Sequence, residues 1–380
     1  MNVAVMGAGA ISRRGHLPAL LNMPTVEQIG VFDLNSSLLE SVGREFPGIR
    51  LYKSIDEILH DPMYEIVHIC TPTNTHSELA IAAMRSGKHV LVEKPLTTNT
   101  IESLEMFRAS VDTGQKIGIV KNWRYFPSVI DARRRVEEGY LGKLVSVNGL
   151  SLTRFPNSWT RGTWLYNEGA VLFDFTPHLV DMVLWFNDSI VKSVYAIGGD
   201  FTRGQMKFNN YAQILLEFVN GSIACLDTSW LTGTLVFELQ IHGTSGHIKL
   251  DVKNDLAHEF HGTVTPVDDL RHFWQQMRSM VRGLRSGTFF GGPMMFYEKL
   301  ILDYQNRISN RQDPPVSLRQ GIMITLVLEA AQESLLTRSP VEISTLMRKS
   351  GFAENEIGTI LQPPTPAFYA SRLYDTSSSN

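Results

Sequence analysis

A glycine-rich turn directly behind the first apolar run is the feature that most constrains this fold. Val3 to Met6 is followed by Gly7-Ala8-Gly9-Ala10-Ile11-Ser12, and a helical pattern begins there. The first glycine allows a tight turn, and the second lets backbone N–H groups approach a pyrophosphate at a helix N-terminus. Ser12 replaces a third glycine, and a small polar residue still allows close packing. We expect this turn to hold the phosphates of a dinucleotide through Gly7, Gly9, Ala10, Ile11 and Ser12.

Asp33 supplies a second indication of nucleotide binding. It ends the second candidate strand, 21 residues after Ser12. A carboxylate there accepts hydrogen bonds from the adenosine ribose and repels a 2′-phosphate, which favours NAD. Arg13 and Arg14 keep NADP as an alternative because a guanidinium near the ribose could accommodate that phosphate. A plainer alternative is an ordinary strand-to-helix turn in which Asp33 caps the next helix.

Short β-branched runs alternate with helical segments over residues 1–122, which predicts a parallel sheet with helices on both faces. The candidate strands are Val3 to Met6, Gln28 to Phe32, Ile49 to Tyr52, Glu65 to Cys70, His89 to Val92 and Lys116 to Val120. Three connecting helices begin with capping-box pairs, namely Ser54 with Glu57, Thr75 with Glu78 and Asn99 with Glu102.

Beyond about residue 140 the alternation stops and longer strands follow one another, which predicts a mainly antiparallel sheet. The candidate strands are Leu144 to Thr153, Val191 to Ile197, Tyr211 to Phe218, Ser222 to Ser229, Leu235 to Gly243 and His247 to Val252. Asn220-Gly221 predicts a two-residue hairpin turn. Helical stretches are expected near 168–187, 293–308 and 317–337. The predicted architecture is an α/β Rossmann domain over 1–122, an α+β domain over 123–365, and a flexible tail over 366–380.

Composition excludes several classes of function. The 380 residues carry 35 Lys and Arg against 38 Asp and Glu, a formal charge of −3, so no basic field attracts nucleic acid or anionic lipid. Only Cys70 and Cys225 could pair, and both are expected to be reduced thiols of a cytoplasmic protein. No leader pattern and no apolar run of roughly 18 residues indicates export or a membrane span. We expect a small-molecule partner, with no nucleic acid and no membrane.

Glu93-Lys94-Pro95 follows the strand His89 to Val92, at the carboxyl end of the sheet where ligands of such sheets bind. Pro95 restricts the backbone of Lys94, so the ammonium position is set by the main chain. We expect Lys94 to stabilise a developing oxyanion. The alternative is a surface Glu-Lys pair that merely ends a strand.

Asp174 and His178 stand four residues apart, and Asp181 follows three later, inside the strongly apolar segment Val171 to Trp185. On one helix the three would share a face. Pro177 means that the helix starts there with Thr176 as N-cap or is kinked. Buried carboxylates and imidazoles must be paired or functional, and an imidazole oriented by a carboxylate suits general acid–base work on an alcohol. The alternative is a structural Asp-His pair.

These groups together predict hydride transfer. A nicotinamide takes the carbinol hydrogen as hydride, His178 takes the hydroxyl proton, and Lys94 stabilises the oxygen. The histidines show no zinc spacing and two isolated cysteines cannot build a thiolate site, so we expect no metal.

The order of these motifs resembles the Gfo/Idh/MocA family of glucose-fructose oxidoreductase and inositol dehydrogenase. The resemblance covers the glycine turn, the segments 70–76 and 87–96, and the segment 168–181. It implies that Lys94, Asp174 and His178 match catalytic positions, and that Thr71, Pro72, Asn74, His76 and Glu93 lie near the cofactor. It also implies that 123–365 is a substrate-binding and oligomerisation domain, with an open-faced sheet that forms homodimer or homotetramer contacts. Ala170, where the family usually has glycine, and Ser12 depart from the pattern without removing a reactive group.

The substrate is expected to be a sugar or cyclitol, and the sequence does not choose among them. Aromatic and cationic side chains that could stack on a sugar or bind its hydroxyls, or could equally pack in the core, are Arg124, Trp159, Arg161 and Trp164. Alternatives are a sugar-nucleotide ketoreductase, an NAD-recycling hydrolase or isomerase, and a cofactor-sensing regulator that has lost its chemistry. The regulator is disfavoured because it would not need Lys94, Asp174 and His178.

Overall fold

The computed structural model describes residues 1–154, 171–202, 209–261 and 292–362, together with 270, 273–274, 277–278 and 281. The chain forms two compact units. The N-terminal unit contains residues 1–122 and 294–325, and the C-terminal unit contains residues 123–293 and 326–380. In the described parts of both units, no helix has the length and hydropathy needed to cross a membrane.

A six-stranded parallel sheet forms the centre of the N-terminal unit. Its strands are β1 (Val3–Met6), β2 (Ile29–Phe32), β3 (Arg50–Leu51), β4 (Ile66–Ile69), β5 (His89–Val92) and β6 (Ile117–Ile119). Their order is 3-2-1-4-5-6, the order of the dinucleotide-binding Rossmann fold. β1, β2 and β4 are fully buried, which explains their unbroken apolar runs. The strand order reverses between β1 and β4, and the carboxyl ends of these strands are where such sheets bind ligands.

The helices of this sheet begin largely where the caps predict. They are α1 (Leu17–Asn22), which continues a π-helical segment Ser12–His16, α2 (Ser36–Glu45), α3 (Ile55–His60), α4 (His76–Arg85) and α5 (Thr100–Thr113). Ser54 and Asn99 accept hydrogen bonds from the N–H groups of Glu57 and Glu102, as expected. The predicted cap at Thr75 is wrong, because its hydroxyl bonds instead to Thr71 and the Pro72 carbonyl in a preceding turn.

An eight-stranded sheet forms the centre of the C-terminal unit. Its strands are β7 (Leu144–Arg154), β8 (Val191–Gly199), β9 (Tyr211–Phe218), β10 (Ile223–Ser229), β11 (Leu231–Gly243), β12 (Gly246–Asp251), β13 (Leu256–His261) and β14 (Val341–Glu342). The order is 13-12-11-7-10-9-8-14, with β7 and β10 parallel and the other pairs antiparallel. The predicted fold class is therefore confirmed, although β13 and β14 were not anticipated.

One face of this sheet is covered and the other is open. Along β9, Ala212, Ile214 and Leu216 are buried, whereas Leu215 between them is 49% exposed. The helix α7 (Thr176–Asn187) packs on the buried face, where the missing side chain of Gly149 leaves room for Leu179. The alternating pattern is that of a sheet with one buried face.

The hairpin between β9 and β10 exists, but its turn is not the predicted two-residue type. The Gly221 N–H donates to the Phe218 carbonyl, and the Phe218 N–H donates to the Ser222 carbonyl. Gly221 has a φ of +84°, and Asn220 stays outside the left-handed region. The loop therefore has three residues, with glycine at the left-handed position.

The remaining described helices are α6 (Pro127–Glu137), α8 (Tyr297–Ser309), α9 (Leu318–Thr337), α10 (Ile343–Lys349) and α11 (Glu354–Ile360). The segment 294–325 belongs to the N-terminal unit. There the Tyr304 hydroxyl donates to the Val90 carbonyl of β5, and the Ile119 N–H of β6 donates to the Val316 carbonyl. The predicted tail 366–380 lies outside the described residues.

Candidate active site

Gly7 and Gly9 are glycines for two different reasons. Gly7 has a φ of +102°, and a Cβ there would lie 2.7 Å from the Cys70 carbonyl oxygen, so no side chain fits. At Gly9 a Cβ would meet no described atom within 4 Å. Because the chain's own packing does not require glycine at this position, the exposed backbone is free for close approach by a ligand. The turn therefore fits a dinucleotide pyrophosphate.

Ser12 closes the turn from inside. Its side chain is fully buried, and its hydroxyl donates to the Gly9 carbonyl at 2.9 Å. Ala10 is exposed and Ile11 is partly exposed, so these two residues border the open side of the turn. The substitution of serine for a third glycine is accommodated because its hydroxyl finds a backbone partner.

Asp33 braces the turn with both carboxylate oxygens. Oδ2 accepts the Ala8 N–H at 2.7 Å, and Oδ1 accepts the Asn35 N–H at 2.7 Å. The alternative in which Asp33 caps the next helix is wrong, because Asn35 caps α2 by accepting from the N–H groups of Ser37 and Leu38. Asp33 is only half-buried, so its carboxylate remains accessible beside the turn.

A pocket of about 350 Å³ lies beside the turn and is lined by Gly9, Ala10, Arg14 and Leu38. Arg13 also borders it, but its guanidinium pairs with Glu45 and donates to the Ser41 hydroxyl at 3.3 Å. Of the two arginines that keep NADP as an alternative, Arg13 is thus already engaged, whereas the exposed Arg14 faces the pocket.

The segment behind β4 divides into exposed and buried residues. Pro72 and Asn74 are exposed and Thr71 is partly exposed. His76 is buried, with Nε2 2.9 Å from the Thr71 carbonyl and Nδ1 3.0 Å from the Pro95 carbonyl. Burial lowers the pKa of His76, and hydrogen bonds to the backbone oppose that shift. His76 thus ties the segment behind β4 to the segment behind β5.

Glu93 is not half of a surface ion pair, because it is only 5% exposed. Its carboxylate contacts His16 and Tyr297, which the sequence interpretation missed. His16 in turn contacts His68 within the buried strand β4. A histidine inside an apolar run was the available indication for His68, since a buried imidazole needs a partner. Lys94 itself is partly exposed, and its peptide bond to Pro95 is cis.

Asp174 does not share a helix with His178. The helix α7 begins at Thr176 with Pro177 in its first turn, so Asp174 lies before it. Thr176 does not cap this helix, because its hydroxyl donates to the Val171 carbonyl and contacts the Thr228 hydroxyl. The prediction of one helical face is therefore wrong for Asp174 and correct for His178 and Asp181.

Asp174 and His178 are both buried, at 1% and 6% exposure. Aromatic rings surround the imidazole, with the ring centroid of Trp123 at 5.6 Å and that of Phe175 at 6.4 Å from that of His178. Trp123 packs in turn on Phe237 at 4.3 Å. The imidazole of His178 is therefore packed against large aromatic rings.

Arg124 is committed to a buried ion pair. Its Nε and Nη2 donate to the two carboxylate oxygens of Asp181 at 2.9 and 2.6 Å, and its guanidinium lies 5.1 Å from the ring centroid of Trp185. This bidentate geometry favours a packing role for Arg124 over sugar binding. Trp159, Arg161 and Trp164 lie outside the described residues. Within the described ranges, no three His, Cys, Asp or Glu side chains are placed to hold a metal ion.

Comparisons with known proteins agree with the fold of both units. Residues 1–120 match a family model described as an oxidoreductase family with an NAD-binding Rossmann fold, and residues 129–249 match the GFO/IDH/MocA C-terminal domain. The levoglucosan dehydrogenase of Pseudarthrobacter phenanthrenivorans is 27% identical over 65% of this chain and 73% of its own length. The scyllo-inositol 2-dehydrogenase (NADP(+)) of Bacillus subtilis is 27% identical over 88% of this chain and 93% of its own length.

The fold is also that of a solved structure. The WlbA dehydrogenase from Bordetella pertussis, in complex with NADH and UDP-GlcNAcA, superposes with a TM-score of 0.77 at 20% identity, covering 90% of this chain and 97% of that one. The glycine turn, the strand order of the parallel sheet and the match to the family model together define the class of protein. The chain is an oxidoreductase with an NAD-binding Rossmann domain. The chain belongs to the Gfo/Idh/MocA family, so the predicted resemblance is confirmed.

Proposed function

We propose that the chain is an NAD-dependent dehydrogenase for a secondary alcohol of a sugar or cyclitol, with NADP as the alternative cofactor. The observation that carries the proposal is the open backbone at Gly9 beside the braced carboxylate of Asp33. Together they offer N–H groups to a pyrophosphate and a carboxylate to a ribose. The substrate class is supported by the relatives, which are named as levoglucosan and inositol dehydrogenases.

The nicotinamide, when bound, accepts or returns the hydride. Within this chain, His178 is proposed to take the hydroxyl proton, with Asp174 orienting its imidazole, and Lys94 to stabilise the charge that develops on the oxygen. The rings of Trp123 and Phe175 lie beside this imidazole, whose residue is only 6% exposed. The remaining cofactor contacts are proposed to come from Thr71, Pro72 and Asn74, on the exposed side of the segment behind β4.

Turnover by variants tests these roles. Purified protein is mixed with NAD or NADP and with myo-inositol, scyllo-inositol, levoglucosan, aldoses and their UDP derivatives, and the NADH absorbance band is followed. We expect His178→Ala and Lys94→Ala each to lower kcat by about 10²- to 10³-fold, because each removes a group that acts in the transition state.

The control for folding is the binding of NADH, which the His178→Ala variant should retain. Unchanged turnover in either variant would overturn the assigned role. Binding of NADH without turnover of any compound by the unaltered protein would favour the cofactor-sensing alternative, and turnover of the UDP derivatives alone would favour the sugar-nucleotide reductase.

We propose a cytoplasmic homodimer or homotetramer, with residues 1–122 binding cofactor and 123–365 binding substrate and a second copy. The open face of the C-terminal sheet supports association, because Ile197, Leu215 and Ile223 on neighbouring strands are 42–54% exposed. Light scattering at micromolar concentration should give at least twice the mass of one chain, and a monomer would contradict the proposal.

A further inference from the structure

The Glu93 carboxylate is held by donors from three parts of the N-terminal unit. Oε1 lies 2.9 Å from His16 Nε2 and accepts the Tyr297 hydroxyl at 2.7 Å. Oε2 accepts the backbone N–H of Lys94 at 3.1 Å. His16 belongs to the helical segment behind the glycine turn, and Tyr297 begins α8. One buried carboxylate therefore links the phosphate-binding segment, a distant helix and the residue that carries the ammonium group.

The charge of this cluster favours an ionised Glu93. Burial alone would raise the pKa of Glu93, but the hydrogen bond and charge of His16, the Tyr297 hydroxyl and the charge of Lys94 together hold it below its usual range. Burial, and then the charge of Glu93, raises the pKa of Tyr297 well above its usual range, so this hydroxyl remains a donor. Three donors on an ionised carboxylate fix its orientation more firmly than neutral hydrogen bonds would.

His68 stands behind His16 and completes the cluster. The two Nδ1 atoms are 3.0 Å apart, so one ring donates and the other accepts. Burial and the neighbouring His16 charge lower the pKa of His68 well below its usual range, so His68 is neutral. Among the described residues, His68 Nε2 has no hydrogen-bond partner, so its contact with His16 is its polar anchor. The titratable groups that face Glu93 are His16, Cys70, His76, Lys94 and Tyr297.

We propose that Glu93 is a positioning residue for Lys94, clamped by His16 and Tyr297, and that it sets the placement of the Lys94 main chain relative to the phosphate-binding helix. The inference rests on the proposed role of Lys94. Both carboxylate oxygens of Glu93 accept hydrogen bonds from donors within the N-terminal unit, and the side chain is buried. Glu93 thus acts through Lys94 and not by touching the cofactor.

Hydrogen exchange on the protein without added cofactor tests the clamp directly. Exchange of the Lys94 amide is followed by mass spectrometry on peptides that span residues 92–97. We expect Tyr297→Phe and Glu93→Gln to speed this exchange by about tenfold, because the carboxylate that accepts the N–H loses its orientation or its charge. Tyr304→Phe is the matched control, since it removes another buried hydroxyl of α8 that bonds to β5 away from Glu93.

Exchange at Lys94 that is equally fast in the native protein, Tyr297→Phe and Glu93→Gln would overturn the proposal. Equal acceleration by Tyr304→Phe would also overturn it, since general loosening of α8 would then explain the result. Either outcome leaves the proposed function standing, because it concerns the main chain of Lys94 and not the reaction.

Kinetics on the compound with the highest turnover separates positioning from folding. His16→Leu removes the donor, whereas His16→Gln places an amide N–H near the former Nε2. We expect His16→Leu to lower kcat by about tenfold with NADH affinity changed less than about threefold, and His16→Gln to recover much of the loss. Tyr297→Phe removes a donor to Glu93, so the acid limb of the kcat profile should move to higher pH.

Equal losses in His16→Leu and His16→Gln, together with an unmoved acid limb in Tyr297→Phe, would contradict the positioning role. Lys94→Ala distinguishes this failure from failure of the proposed function. If Lys94→Ala lowers turnover and the clamp variants do not, only the clamp is wrong. If Lys94→Ala has no effect, the assigned chemistry is wrong as well.

Discussion

Two buried carboxylates, one in each compact unit, are satisfied in different ways. In the N-terminal unit Glu93 accepts hydrogen bonds from an imidazole, a phenol and a backbone N–H. In the C-terminal unit Asp181 accepts two hydrogen bonds from the single guanidinium of Arg124. Both are almost fully enclosed, at 5% and 1% exposure.

The chemistry of its partners determines whether each buried carboxylate cluster changes with pH. A guanidinium keeps its charge at any working pH, so the Arg124–Asp181 pair is a constant feature of the core. The cluster around Glu93 includes His68, whose pKa burial holds well below its usual range, so this imidazole takes up a proton only as the pH falls. The N-terminal cluster can therefore respond to pH, whereas the C-terminal pair fixes its helices in place.

The largest effect is expected from breaking the C-terminal pair. Arg124→Met leaves Asp181 buried without its counter-charge, so the free energy of unfolding should fall by about 3–5 kcal/mol. Both side chains are enclosed, at 6% and 2% exposure, so solvent screening does not reduce the effect. Denaturant unfolding at pH 7 measures it. The double variant Arg124→Met/Asp181→Leu should recover most of the loss, because no buried charge remains.

A loss below about 1 kcal/mol in Arg124→Met would contradict the view of Asp181 as a buried charge that depends on one partner. Failure of the double variant to recover would indicate instead that Arg124 acts mainly through its packing on Trp185.

A smaller effect is expected from pH on the N-terminal cluster. The pKa of His68 lies well below 6.5 in the folded chain, so between these values the unfolded chain binds a proton that the folded chain does not. Stability from this group is complete above pH 6.5 and is lost as the pH falls towards the folded pKa. The slope is at most about 1.4 kcal/mol per pH unit for one histidine. Unfolding measured from pH 7.5 to 5 should show it.

His76 and His89 have lowered pKa values as well, so they add to the slope of the native protein. His68→Gln should flatten the curve by the share of one histidine, whereas Arg124→Met/Asp181→Leu should leave the slope unchanged. An identical slope in His68→Gln would show that His68 is protonated in the folded chain, and the assignment of a neutral imidazole would be wrong.

Local patterns predicted the elements well. β1, β5 and β9 have the predicted bounds, and the caps at Ser54 and Asn99 form as expected. Each depends on residues within a few positions of one another, through alternation, β-branching or a side-chain oxygen three residues from its N–H. Thr75 failed because its hydroxyl had a nearer partner in the preceding turn.

Sequence motifs identified the candidate residues, but they did not identify the residues that contact them in the fold. Glu93 and Lys94 stand out behind a strand, but Tyr297 contacts Glu93 from 204 positions away in the chain. The four-residue spacing between Asp174 and His178 predicts that both lie on one helix. That helix begins at Thr176, with Pro177 in its first turn, so Asp174 lies before it. The sequence also suggests Arg124 as a substrate-binding residue. Its pairing with Asp181 depends on how α7 packs, which local sequence patterns do not show.

The amino-acid sequence by itself determined the parallel sheet, the phosphate-binding turn and the family, since these follow from periodicity and from short motifs that act over a few residues. Only the tertiary structure decided that Glu93 is buried and that His16 and Tyr297 contact its carboxylate, with His68 behind His16. It also decided that Arg124 forms an ion pair with Asp181. The physical reason is that a buried polar group must find its partner among whatever packing brings near, and chain spacing does not contain that information.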